Sequence, residues 1–140
     1  MLTQTKQMHY QLDPPGRPWY GLTGRLAFNQ YDVAWPQLPQ AFQGQRILQL
    51  SDLHMAVHTK HWLMTTLPLI HHMKPDVIAL TGDLISQGTD DFPELRTFLQ
   101  GLPTNTLKIA CLGNHDVLDG ARGANVTALL EEEGVRCLVN

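Results

Sequence analysis

Three short polar motifs contain the residues of this sequence that could do chemistry, and each follows an apolar run. The motifs are DLH (52–54), GD (82–83) and GNHD (113–116). Their carboxylate, imidazole and amide groups are mixed oxygen and nitrogen ligands, which suit Mn, Fe, Zn, Co or Mg ions. In an extended segment, positions i and i+2 point the same way, so Asp52 and His54 could bind one ion together. Each motif taken alone is equally compatible with a turn or a helix cap.

The motifs recur at a regular interval. Asp83 lies 31 residues after Asp52 (83 − 52), and Asn114 lies 31 residues after Asp83 (114 − 83). This interval is about the length of one strand–helix–strand unit. Right-handed crossovers place successive parallel strands side by side, and open α/β sheets bind ligands at the carboxyl ends of those strands. The spacing therefore predicts that the three motifs converge in one cleft, where their charges require a cation.

Alternating strands and helices account for this interval. Apolar runs predict strands at 46–51, 76–81, 107–112 and 135–140, and helical periodicity predicts helices at 60–74, 90–102 and 123–134. Pro68 predicts either a kink in the first helix or a regular helix only after Thr66. The pattern as a whole predicts an α/β fold with mostly parallel strands and crossover helices.

The amino-terminal part follows a different pattern. Residues 1–18 are polar and interrupted by proline and glycine, which predicts a loose leader before a folded region at 19–140. Residues 26–35 alternate with a period of two and predict an outer strand, which Pro36 and Pro39 end.

Composition bounds the class of protein. The 140 residues fit one domain, and 43% hydrophobic with 16% charged residues is typical of a globular protein. A net charge of −3 argues against a general nucleic-acid binder. We find no secretory signal and no membrane-spanning window, so we expect a cytoplasmic location. Cys111 and Cys137 lie in strand-like stretches and are predicted to be small buried hydrophobic residues.

The stretches LQLSDLH, PDVIALTGDL and IACLGNHD resemble the calcineurin-like metallophosphoesterase superfamily. Its signature runs D-x-H, G-D-x-x-D/N and G-N-H-D/E, followed by a later His and a G-H-x-H. ILQLSDLH, KPDVIALTGDLISQG and LLEEEGVRCLVN are most similar to a bacterial branch of membrane-associated phosphodiesterases that includes lipid-A-precursor pyrophosphatases. The resemblance covers residues 45–140 and implies that this chain forms the N-terminal half of an α/β/β/α sandwich.

The resemblance also implies a di-metal centre that holds two divalent ions. Asp52 and His54 would hold one ion, Asp83 would bridge both ions, and Asn114 would bind the second. A hydroxide between the ions would attack phosphorus in line, because the ions lower the pKa of the bound water.

Two further residues receive catalytic roles from the same resemblance. His115 would protonate the leaving oxygen or stabilise charge on the phosphoryl group. Asp116 would orient the His115 imidazole from behind.

The sequence departs from the family signature in two places. Ser86 stands where Asp or Asn is usual, and we expect a minor effect from this change. The 140 residues contain neither the later His nor a G-H-x-H, so we expect a truncated domain with weak or absent hydrolysis. The sheet face that would pack on the second sheet should then be exposed and prone to association. Other histidines are expected to be exposed or supporting: His58, His61, His71 and His72, with no role for His9.

Three functional interpretations follow. The first is a metal-dependent hydrolase of phosphate esters, acting on a phosphorylated small molecule or lipid, with peripheral membrane association and a complementing C-terminal half. The second is an inactive remnant that binds a metal or a partner chain. The third is a purely structural α/β domain whose motifs are turns.

Overall fold

The structure, a computed structural model, describes residues 2–11, 25–86, 88–118 and 120–138, with the backbone alone for 2–11, 25–28, 58 and 120. The chain divides into two compact units, Met1–Gln43 and Gly44–Asn140. The division predicted at residues 18 and 19 lies outside the described residues.

The first unit contains a two-stranded antiparallel sheet. Strand β1 (Leu2–Gln11) pairs with β2 (Arg25–Val33), and the register shifts between Gln4 and Lys6. Residues 2–11 of the predicted leader thus form a strand, whose backbone groups find hydrogen-bond partners in β2. The remainder of the predicted leader lies outside the described residues. The strand predicted at 26–35 is confirmed as β2, with β1 as its partner.

The second unit alternates strands and helices as predicted. Its elements are β3 (Ile47–Leu50), α1 (Val57–Met64), α2 (Leu67–Met73), β4 (Val77–Thr81), α3 (Phe92–Gly101), β5 (Leu107–Cys111), α4 (Gly120–Glu132) and β6 (Arg136–Cys137). The four strands are parallel in the order β3-β4-β5-β6. This arrangement confirms the α/β fold with parallel strands and crossover helices.

Proline and glycine explain most of the helix boundaries. Pro68 lies in the first turn of α2, where its missing N–H does no harm, so the predicted helix at 60–74 is split into α1 and α2. Lys74 ends α2 in a left-handed conformation with φ of 49°. The last helix begins at residue 120 rather than 123, and Gly134, with φ of 72°, follows its end. Strand β6 spans residues 136–137 of the predicted 135–140, of which residues 139 and 140 lie outside the described part of the chain.

The helices pack on one face of the sheet. Ile78 and Leu80 of β4 are buried there against Ile70, Phe98 and Leu130 of the helices, and each of these side chains is at most 1% exposed. Burying an apolar side chain of this size contributes about 1.5–3 kcal/mol. This packing holds β3, β4 and β5 in place beneath the loops that carry the polar motifs.

The opposite face of the sheet is open among the described residues. Ile47 and Leu107 flank Val77 in the strand register and are 70% and 58% exposed. The expected exposure of this apolar face is confirmed. Cys111 belongs to it and is exposed, so the prediction that it is buried is wrong. Cys137 is half-buried because it points to the covered face, beside the helices.

Among the described residues, no helix combines the length and the apolar character needed to cross a membrane.

Candidate metal centre

The polar motifs follow β3, β4 and β5, which are neighbours in the sheet. Beyond the strands, the loops after β3 and β4 continue side by side. The Asp52 N–H donates to the Gly82 carbonyl at 3.1 Å, and the His54 N–H donates to the Asp83 carbonyl at 2.9 Å. The predicted convergence of the first two motifs therefore rests on backbone hydrogen bonds.

Three residues of these loops adopt left-handed backbone conformations. The φ angles are 54° for Asp52, 42° for His54 and 52° for Asp83. Asp and His tolerate this region better than most residues, yet each such residue costs on the order of 1–3 kcal/mol. The surrounding hydrogen bonds hold this strain at the point where the candidate ligands project from the sheet.

Two glycines allow the loops after β4 and β5 to touch. A Cβ atom on Gly82 would lie 2.8 Å from the Gly113 nitrogen, and Gly82 has φ of 94°. A Cβ atom on Gly113 would collide with the Asp83 carboxylate and backbone nitrogen. Only glycine at residue 113 therefore leaves room for the Asp83 side chain.

His54, Asp83 and His115 form a cluster of possible metal ligands. One ligand atom of each residue lies within 4.8 Å of the others. The rings of His54 and His115 meet edge to face with centroids 4.8 Å apart. The backbone N–H of His115 donates to Asp83 Oδ1 at 3.0 Å. The three motifs thus meet in one place, as their spacing predicts.

The donor set fits a divalent ion. Nitrogen and oxygen ligands bond to Zn²⁺ at about 2.0–2.2 Å, so two ligands on opposite sides of an ion are separated by at most about 4.4 Å. The observed spread is within a few tenths of an ångström of that limit. Two imidazoles and one carboxylate suit Zn, Mn, Fe or Co.

Asp52 and Asn114 occupy more exposed positions. The side chains of both residues are exposed, and the Ser51 hydroxyl donates a short hydrogen bond to Asp52 Oδ2. Among the described His, Cys, Asp and Glu side chains, Asp52 is not part of the cluster. The cluster instead contains His115, which the resemblance placed beside the substrate.

Asp116 is fully buried and binds backbone amides. Its Oδ1 accepts from the N–H groups of Leu84 at 2.9 Å and Ile85 at 3.2 Å, and its Oδ2 accepts from Gly113 at 2.9 Å. These contacts differ from the orienting contact with His115 that the resemblance predicts. The carboxylate joins the loop after β4 to the loop after β5, which brings Asp83 and His115 together.

Ser86, where the sequence predicts only a minor effect, contacts both histidines of the cluster. Its carbonyl oxygen lies 3.3 Å from His115 Nδ1, and its hydroxyl donates to the His54 carbonyl at 2.9 Å. Its backbone N–H donates to Asp91 Oδ2 at 3.1 Å. The departure from the family signature at this position was the available signal.

The other histidines lie outside the cluster where their side chains are described. His61, His71 and His72 are exposed, as expected, and His71 Nε2 lies 2.9 Å from the Gly101 carbonyl. The side chains of His9 and His58 lie outside the described part of the chain.

A polar cleft of about 450 Å³ lies between the segment at 88–91 and the start of α4. Asp90, Arg122 and Asn125 are among its lining residues. Arg122 Nη1 donates to the His115 carbonyl at 3.4 Å, which connects this cleft to the cluster.

The sequence of the second unit matches a known protein family. Residues 45–136, more than half of the chain, match the Calcineurin-like phosphoesterase family. The chain belongs to this family, and the resemblance found in its motifs is confirmed.

Curated relatives match the same part of the chain. UDP-2,3-diacylglucosamine pyrophosphatase LpxG of Chlamydia trachomatis serovar D is 38% identical in an alignment of 84 residues that covers 56% of this chain and 26% of the relative. The protein of the same name from Chlamydia muridarum is 34% identical over 85 residues, 57% of this chain and 26% of the relative. The uncharacterised metallophosphoesterase YkuE of Bacillus subtilis is 34% identical over 83 residues, 56% of this chain and 29% of the relative. The matched region thus spans less than a third of each of these proteins.

Proposed function

We propose that this chain contributes the metal-binding part of a hydrolase that cleaves phosphate esters, at phosphodiester or pyrophosphate bonds. The observation that carries the proposal is the meeting of His54, Asp83 and His115 at the carboxyl ends of three parallel strands. Membership of the Calcineurin-like phosphoesterase family supports this chemistry. The names of the two Chlamydia relatives support a pyrophosphate bond in a phosphorylated lipid as the substrate class.

The proposed ligands are Asp52 and His54 for one divalent ion and Asn114 for a second, with Asp83 bridging the two. Bound ions would lower the pKa of a water molecule to make a hydroxide and would neutralise charge on the phosphoryl oxygens. The position of Asp83 supports a bridging role, because its loop lies between the loops that carry the other ligands.

His115 is the proposed proton donor to the leaving oxygen, or the group that stabilises charge on the phosphoryl group. Its imidazole lies beside His54 and Asp83, where a substrate oxygen bound to an ion would be within reach. Asp116 is proposed to position His115 through the backbone, since its carboxylate holds the loop that carries the histidine.

The remaining parts of the proposal concern partners and location. The later His and the G-H-x-H implied by the resemblance would come from a complementing C-terminal half outside these 140 residues. The enzyme would work in the cytoplasm, with peripheral association to the membrane that holds a lipid substrate.

A second candidate function is metal binding without turnover. The specific observation that favours it is that three possible ligands of one ion come from this chain by itself. This candidate needs no residues from elsewhere.

Hydrolysis of bis(p-nitrophenyl) phosphate with Mn²⁺ tests the proposal. The 140-residue chain should be weakly active or inactive, and a version extended to include a G-H-x-H should release p-nitrophenol. The Asp83→Asn variant of the extended version is the control and should be inactive. Inactivity of both versions with every divalent ion tried, together with measurable ion binding by the chain, would favour the second candidate instead.

A further inference from the structure

The geometry points to Ser86 as a positioning residue. It holds both histidines of the site and determines which nitrogen of His115 faces the site. The inference rests on the proposed function, because it gives Ser86 a task within that site. It goes beyond the minor supporting effect expected from the sequence.

The Ser86 carbonyl determines the protonation pattern of His115. A carbonyl oxygen can only accept a hydrogen bond, so His115 Nδ1, 3.3 Å away, must be the donor. With the hydrogen on Nδ1, the neutral ring carries its lone pair on Nε2. Nε2 is then the nitrogen that can take up a proton and donate it to a leaving oxygen. The contact thus selects one tautomer and restricts rotation of the ring.

The Ser86 hydroxyl holds the other histidine through the backbone. It donates to the His54 carbonyl at 2.9 Å and so ties the loop after β3 to the loop after β4. His54 has a left-handed φ of 42°, a conformation that persists only where neighbouring contacts maintain it. The hydroxyl is one of these contacts, next to the His54 N–H bond to the Asp83 carbonyl.

Ser86 is itself anchored to the helical layer. Its N–H donates to Oδ2 of Asp91, a residue that is 6% exposed and directly precedes α3. Hydrogen bonds through its N–H, carbonyl and hydroxyl thus connect Ser86 to three parts of the fold. A serine suits this position because its short side chain reaches the His54 backbone while its carbonyl remains directed at His115.

The first test reads the tautomer directly. Nitrogen-15 NMR of the metal-free chain should show His115 with its hydrogen on Nδ1, with the resonance assigned by its loss in His115→Gln. Ser86→Ala and Ser86→Thr both keep the backbone carbonyl, so both should leave the hydrogen on Nδ1. Thr97→Ala removes a hydroxyl-to-carbonyl bond of the same kind in α3 and is the matched control.

The second test reads the effect on His54. Zn²⁺ affinity measured by calorimetry should fall about tenfold in Ser86→Ala and should stay within about twofold of wild type in Ser86→Thr and Thr97→Ala. A wild-type His115 with its hydrogen on Nε2, or equal Zn²⁺ affinities in Ser86→Ala and Thr97→Ala, would overturn the inference. Absence of phosphodiester hydrolysis would count against the proposed function alone, since neither readout depends on turnover.

Discussion

The candidate site has two regions that differ in how firmly the fold holds them. The floor consists of Asp83 and Asp116, whose carboxylates accept hydrogen bonds from backbone amides. The rim consists of Asp52 and Asn114, whose side chains are exposed. All four residues belong to the same three motifs, yet among these four side chains only those of the floor join one loop to another. Removal of a floor side chain should therefore disrupt the loops themselves, whereas removal of a rim side chain should leave the loops intact.

The largest expected effect is on the floor. Asp116 is fully buried, and Asp116→Ala removes the acceptor of three backbone N–H groups. Each buried donor that is left unsatisfied costs about 1–3 kcal/mol. Because the loops can rearrange partly, we expect the free energy of unfolding to fall by about 3–5 kcal/mol. Urea denaturation followed by circular dichroism measures this loss.

Asp116→Asn is the matched control, because its amide keeps one carbonyl acceptor but replaces the second oxygen with a donor. Its loss of stability should lie between that of wild type and that of Asp116→Ala. A loss below about 1 kcal/mol in Asp116→Ala would mean that water replaces the carboxylate, and the distinction between floor and rim would fail.

Metal affinity should distinguish Asp83 on the floor from Asn114 on the rim, both of which are proposed ligands. Asp83→Ala removes a negative charge and the proposed bridge, so Mn²⁺ binding by the chain should become undetectable in calorimetry. Asn114→Ala removes only a neutral amide at the rim and should weaken Mn²⁺ binding by about tenfold or less. Equal metal contents in the two purified variants would contradict the bridging role of Asp83.

Much of this arrangement was predictable from the sequence because it depends on periodic patterns. The strands ending before Asp52 and Asp83, and the interval of 31 residues between these two residues, correctly predict that their motifs meet at one edge of a parallel sheet. Proline and glycine positions likewise predict where the helices end. These features follow from local preferences and from the regular length of strand–helix–strand units.

The hydrogen bonds of the loops were not predictable in the same way. Asp116 accepts from residues 84 and 85, more than 30 positions earlier, and Ser86 reaches His54 from 32 positions away. Such contacts depend on left-handed φ angles and on the close approach at Gly113, which no period in the sequence encodes. The pairing of β1 with β2 was missed for a related reason, since a polar strand pairs through its backbone and leaves little pattern in its side chains.

The smallest expected change in stability is at the rim. It tests whether an exposed rim side chain contributes to the stability of the fold. Asp52→Ala removes an exposed carboxylate that accepts a hydrogen bond from its neighbour Ser51, so the free energy of unfolding should change by no more than about 0.5 kcal/mol. Removal of the charge should nevertheless lower Mn²⁺ affinity, because the proposed ion at His54 loses a ligand. Denaturation and calorimetry on the same preparation separate the two effects. A loss of stability as large as that of Asp116→Ala would show that the loop after β3 depends on Asp52 for its fold. The distinction between floor and rim would then fail.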